Sequence, residues 1–174
     1  MRRLAGAIAD DRGSTVIEFA LVLPIMISLF MGIFEVTRVV GADMRLTAAT
    51  QSIADMMAQQ SNVTLAESAN FCDGAKMTMY PLPGPSLKAA VASVTKGASS
   101  TTLNWSDVAC GSAAAIVGAT TLAPTLTPNV GDSVIIVQTT YAYTSPIGYV
   151  LATSYTLSAT AYARPRIIAT VTHD

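Results

Sequence analysis

From Phe19 to Phe34 the chain carries no charged residue, and from Thr15 the apolar run is interrupted by a single acid, Glu18. About 20 helical residues at 1.5 Å rise span roughly 30 Å, the thickness of a hydrocarbon core. A membrane-crossing helix is therefore the first element this sequence dictates. The glutamate stands inside its N-terminal edge. An ionised carboxylate costs about 2–3 kcal/mol near the bilayer centre and less toward the interface, so a carboxylate retained there is a functional candidate with a partner to be found.

The remainder is enough for one small domain with its own core, roughly 130 of the 174 residues. Charged residues make up 12% of the chain, hydrophobic ones 51%, and the net charge is −1. Beyond Gly41 the basic residues Arg45, Lys76, Lys88, Lys96, Arg164 and Arg166 are scattered and outnumbered by acids, which argues against nucleic acid as a partner.

Ahead of the run, residues 1–13 form a short polar segment containing Arg2, Arg3 and Arg12. Basic residues before a span hold that end in the cytoplasm, although Arg38 and Arg45 follow the span and Asp10 and Asp11 precede it. Three arrangements compete. One is a secretory signal cut after Ala42, against which stand the length of the run and the charges Glu35 and Arg38 before the cut. Another is a plain uncleaved anchor. The third is a leader cut after Gly13, which leaves the helix at the mature N-terminus. Glycine suits a scissile position because a backbone without Cβ is open to close approach. Such a cut frees the Ser14 amine and makes Glu18 the fifth residue, where it can neutralise the terminal ammonium of a neighbouring subunit.

The segment GSTVIEFALVLPIMISLFMGIFEVTR resembles the N-terminus of the TadE-like family, pseudopilins of the tight-adherence (Flp) pilus machinery. Glu18, Phe19, Leu23, Pro24, Gly32, Glu35 and Arg38 carry the likeness, which is specific over residues 12–40 and loose beyond them. The resemblance implies cleavage between Gly13 and Ser14 by a prepilin peptidase. It also implies an inner-membrane position with the C-terminal domain periplasmic, and a structural role beside other pilins, pseudopilins and assembly proteins. Glu18 and Phe19 are then the residues of subunit registry and recognition. The domain scheme that follows is a leader at 1–13, a transmembrane helix at 14–40 and a periplasmic α+β domain at 41–174. The alternative is an uncleaved single-pass protein that binds or scaffolds periplasmic partners.

Pro24 removes the hydrogen bond to the Ala20 carbonyl and predicts a kink, tolerated in a membrane helix where a hydroxyl such as that of Ser28 helps satisfy the backbone. Ser28 and Gly32, four residues apart, form a small-xxx-small step open to another helix. Past the membrane, Val36, Val39, Val40, Leu46, Thr50, Ile53 and Met57 recur at steps that extend an amphipathic helix to about Gln60, with Met44, Met56 and Met57 as packing residues.

A second short helix is expected within residues 62–79, carrying Cys72, before Pro81, Pro83, Gly84 and Pro85 break regular structure. Strands follow at 89–95 and 101–108, joined by a turn at 97–100, with Trp105 as a core anchor. Residues 111–129 read as a surface loop or a poorly formed helix. Residues 133–143 are the strongest strand, and 149–163 hold another that ends at Arg164-Pro165-Arg166 as an edge would. The fold class is α+β and pilin-like, a long N-terminal helix packed on a small antiparallel sheet.

Cys72 and Cys110 are too far apart in sequence for a redox CxxC motif and lack histidine company for zinc. In an oxidising compartment they would close a loop of about 40 residues; the alternative is two buried thiols. Asp73, Asp107 and Asp132 match no calcium-loop spacing and read as solvated acids. No catalytic constellation, metal site or cofactor motif stands out, so the expected function is structural and not enzymatic.

Overall fold

The computed structural model describes residues 12–123, 126–148 and 154–174. The expected leader lies outside the described residues as far as residue 11. Helix α1 runs Arg12–Ala58, 47 residues with Pro24 inside it. It therefore begins ahead of Thr15, and the Gly13–Ser14 peptide falls in its first turn. The chain divides into two compact units, one holding α1 up to Arg38, the other made of Val39–Thr144 and Ser154–Asp174.

In the second unit the remaining part of α1 packs on a four-stranded antiparallel sheet. Its strands are β2 (Leu87–Lys96), β3 (Thr101–Cys110), β4 (Ser133–Thr144) and β5 (Ser154–Ala163), in the order β3-β2-β4-β5. The β-branched and alanine-rich strands β2 and β4 take the centre, with Val91 opposite Val137 and Ala89 opposite Thr139. Ala42, Leu46, Ala49, Ile53 and Met57 of α1 recur every three or four residues and are buried with Val91, Ile135, Val137 and Tyr141. Thr50 sits in the same contact, its hydroxyl 2.6 Å from both the Leu46 carbonyl and the Thr139 hydroxyl, so this buried polar pair is satisfied.

The stripe differs from the expected one. Val36, Val40 and Met44 point outward, at 49%, 46% and 67% exposure, and alanines take their place against the sheet. A search for bulky residues overlooks this, because small side chains let a helix approach a sheet closely.

The other sheet face has a cover of its own. Of the two readings of residues 111–129, the short helix holds: α3 (Ala119–Leu122) and Ala123 pack on Ala92, Val94, Val134 and Ile136. Gly118 opens that helix at φ 70°, a left-handed conformation that glycine adopts without strain. Burial on both faces is why β2 shows almost no polar alternation.

Helix α2 (Leu65–Thr78) starts at a capping box, in which the Glu67 N–H donates to the Thr64 hydroxyl and the Thr64 N–H to the Glu67 carboxylate. The Thr64 backbone donor, and then its hydroxyl, hold the Glu67 carboxyl below its ordinary value. Cys72 of α2 is bonded to Cys110 at the end of β3, with Cα atoms 5.4 Å apart.

The C-terminal segment forms a clasp that local patterns did not reveal. Strand β6 (Thr172–His173) pairs in parallel with β1 (Asn62–Val63). The Trp105 indole N–H donates to the Val171 carbonyl at 2.7 Å, and its ring lies 4.9 Å from that of His173. Trp105 is half-buried and packs against the main core, as expected, and it also clamps the chain end. Asp107 is likewise not a solvated acid, since its largely buried carboxylate lies 3.3 Å from His173 Nε2. Strand β5 is a sheet edge, and residues 149–153 of the longer expected strand lie outside the described residues. After β5, Arg166 pairs with Asp55 at 3.0 Å and its N–H donates to the Ala58 carbonyl.

Candidate functional site

The first unit presents an apolar helix surface that an aqueous protein cannot leave uncovered. Between Val16 and Phe34, thirteen large apolar side chains are each at least 38% exposed, and they lie all around α1. Soluble monomers rarely expose a contiguous apolar patch beyond about 300–600 Å². A helix apolar on every side belongs in lipid or in a bundle of helices. Among the described residues this helix is the one long and apolar enough to cross a membrane.

Glu18 is exposed on this surface, as is Phe19 at 60%. At 100° per residue, Glu18, Ile25, Leu29, Gly32 and Val36 fall on one face of α1. Most of that face is a shallow apolar depression of about 550 Å³ lined by Ile25, Ser28, Leu29, Gly32, Ile33, Val36 and Thr37. Its two hydroxyls turn back on the helix. Ser28 Oγ donates to the Pro24 carbonyl and Thr37 Oγ1 to the Ile33 carbonyl, both at 2.8 Å. The face therefore offers another helix small, apolar, self-satisfied contacts, with one carboxylate two turns before them. The Ser28 hydroxyl was expected to help with the carbonyl that Pro24 orphans; its hydrogen bond goes to Pro24 itself.

The two acids of the N-terminal motif are placed differently. Glu18 is exposed, whereas Glu35 is 1% exposed, a burial that its flanking sequence does not announce. Arg38 leans back one turn, its guanidinium carbon 5.6 Å from the Phe34 ring centroid, as an arginine does where an apolar run meets water. Gly13, Ser14, Glu18, Phe19 and Pro24 thus share one stretch of helix, while Cys72 and Cys110 belong to the other unit. Among the described residues no group of three His, Cys, Asp or Glu side chains is placed to hold a metal.

Residues 13–55 match the family model described as TadE-like protein, the family that the N-terminal motif resembles. The match takes in the exposed apolar helix, Glu18, and α1 as far as its contact with the sheet. Among curated proteins and solved structures, none matches the chain.

Proposed function

We propose that this chain, TadE-like over residues 13–55, is a minor pilin or pseudopilin of a tight-adherence pilus system, processed by a prepilin peptidase between Gly13 and Ser14. It is held in the inner membrane by α1 with its α+β domain in the periplasm, and it acts as a structural component without enzymatic chemistry. The observation that carries this reading is one exposed carboxylate, Glu18, five residues after a glycine and on the same face as the Ser28–Gly32 depression. An ionised carboxylate in lipid is costly, and a neighbouring subunit's terminal amine would offset part of that cost when the helices sit side by side in register. Charge thereby sets the axial position of a contact that apolar packing alone would leave free to slide.

Processing requires the peptidase to take the Gly13–Ser14 bond out of the first turn of α1. The first four N–H groups of a helix have no partner within it, so that turn opens at little cost, and glycine lowers the cost further.

The test is Glu18→Ala in the full chain, followed by separate measurement of membrane content and of surface pili. The variant should enter the membrane at wild-type level and be lost from assembled material. Normal piliation by Glu18→Ala would remove the registry role. Loss of the protein from the membrane would mean that Glu18 serves insertion instead.

A further inference from the structure

We propose that the outer edge of β5 receives an extended strand from another protein, uncharged and rich in β-branched apolar side chains, which continues the sheet. The inference concerns the second unit alone and does not depend on how α1 is processed.

The sheet has two edges, β3 and β5, and they are finished differently. The β3 edge is guarded. Its pairing with β2 shifts register twice, between Ala89 and Val91 and between Ser93 and Val94. It carries the largely buried Asp107, and its last residue is tied to α2 by the Cys72–Cys110 bond. Bulges, inward charges and covering elements are the devices that keep a sheet edge from pairing with another chain. The β5 strand shows none of them. Its ten residues include no charge and no proline, and they pair with β4 in one unbroken register from Ile135–Ala163 to Thr144–Ser154. Arg164 and Arg166, which follow the strand, are turned to Asp132 and Asp55, at 3.8 and 3.0 Å. Among the described residues no strand lies on the far side of β5.

Every second residue of an edge strand turns its N–H and C=O outward, and at that spacing another extended backbone meets the whole row. The side chains define the kind of strand. On the core side, Leu157 and Ala159 are half-buried and pack at the margin of the main core. On the other side Thr156, Ser158 and Thr160 form an exposed hydroxyl row. An incoming strand that matches both sides alternates apolar with hydroxyl-bearing residues. A charge set against this row would have no partner in β5, so the segment is uncharged.

The inner edge of β5 shows which apolar residues fit. There β4 sets Ile135 against Ala163, Val137 against Ala161 and Thr139 against Ala159, a branched side chain beside each alanine. A strand of the β4 kind is thus the pattern for the outer edge as well. In a second copy of this chain β4 is already paired on both sides, by β2 and β5. A second β5 would bring alanine and serine where branched residues fit. The occupant is therefore a strand from a different protein.

The experiment uses the full chain in detergent micelles. The probe is a synthetic peptide of the β4 sequence, Ser133–Thr144, with a fluorescent label and a glycol tail for solubility. Its anisotropy should rise saturably, and hydrogen exchange should slow about tenfold or more at residues 156–162 while β3 stays unchanged. Thr156→Lys combined with Ser158→Lys places on β5 the charges that guarded edges carry. That variant should weaken binding about tenfold or more and leave the melting temperature within about 2 °C. A peptide with proline at two central positions should not bind, because proline cannot complete the ladder. Absence of binding, slowing at β3 in place of β5, binding that survives the lysines, or equal binding of the proline peptide would overturn the proposal. Disulfide-linked pairs of Ser158→Cys chains in membranes would assign the edge to a second copy and overturn it too.

Discussion

A matched pair of leucine truncations on α1 separates its two halves. Leu46 is fully buried against the sheet, and Leu29, seventeen residues earlier on the same helix, is 62% exposed. Leu46→Ala removes the transfer energy of the lost carbons and leaves a cavity in the fully buried core, together about 3 kcal/mol. The second unit has about 130 residues, and unfolding entropy near 2.1 cal/mol/K per residue gives roughly 0.27 kcal/mol per degree. The expected fall in melting temperature is thus about 11 °C. Leu29→Ala exchanges one lipid-facing or detergent-facing apolar side chain for a smaller one and should move the domain transition by less than about 2 °C. The assay is a thermal melt of the full chain in detergent micelles, followed by the near-ultraviolet signal of Trp105, which reports the sheet and not the helix. Equal shifts for the two variants would refute the division of α1 into a lipid-facing half and a core half.

Other outcomes follow from the domain. Replacing Cys72 and Cys110 by serine should cost about 4 kcal/mol, as chain entropy predicts for a closed loop of this length, and an unchanged denaturation midpoint would contradict that. Glu67 has a depressed carboxyl in the folded state, so its contribution is present above the unfolded value of 4.5 and is lost as pH falls through the lower folded value. Glu67→Gln should accordingly flatten the acid-side decline in melting temperature. Tyr141 is shifted upward by burial, so its contribution holds below the ordinary tyrosine value and fades as pH rises through the folded one. An ultraviolet titration should show one late-titrating phenol that Tyr141→Phe removes. Trp105→Phe deletes the indole bond to Val171, and hydrogen exchange at residues 171–173 should accelerate while the centre of β2 stays protected.

What the sequence disclosed follows from the range of the forces involved. The long exposed apolar helix, the central strands β2 and β4, and the Gly13–Glu18–Pro24 spacing are written within short windows, as an unbroken apolar run, β-branched clusters and fixed spacing. The alanine stripe on α1 was less legible, because Ala42, Ala49 and Ala58 are read as contacts only once the sheet is known to approach closely. The Ala, Thr, Gly and Pro content of residues 111–129 hides a regular pattern, yet Ile116, Ala119, Leu122, Ala123 and Leu126 cover a sheet face. The clasp joining Trp105, Asp107, Val171 and His173 spans some 66 residues of separation, beyond any local pattern. At the candidate site, Glu18 was evident from its charge within an apolar run. The burial of Glu35 was not, since a glutamate followed closely by arginine has the look of a helix leaving the membrane.

The most direct test of the central proposal is the intact mass of the chain extracted from membranes. Prepilin-type processing gives a mature protein that begins at Ser14 with a free amine, five positions counted inclusively from Glu18. A chain that still begins at Met1, or one that begins near Asp43, would contradict it. The first would leave an anchored binding protein, and the second an ordinary secreted domain whose apolar helix never packs in a pilus.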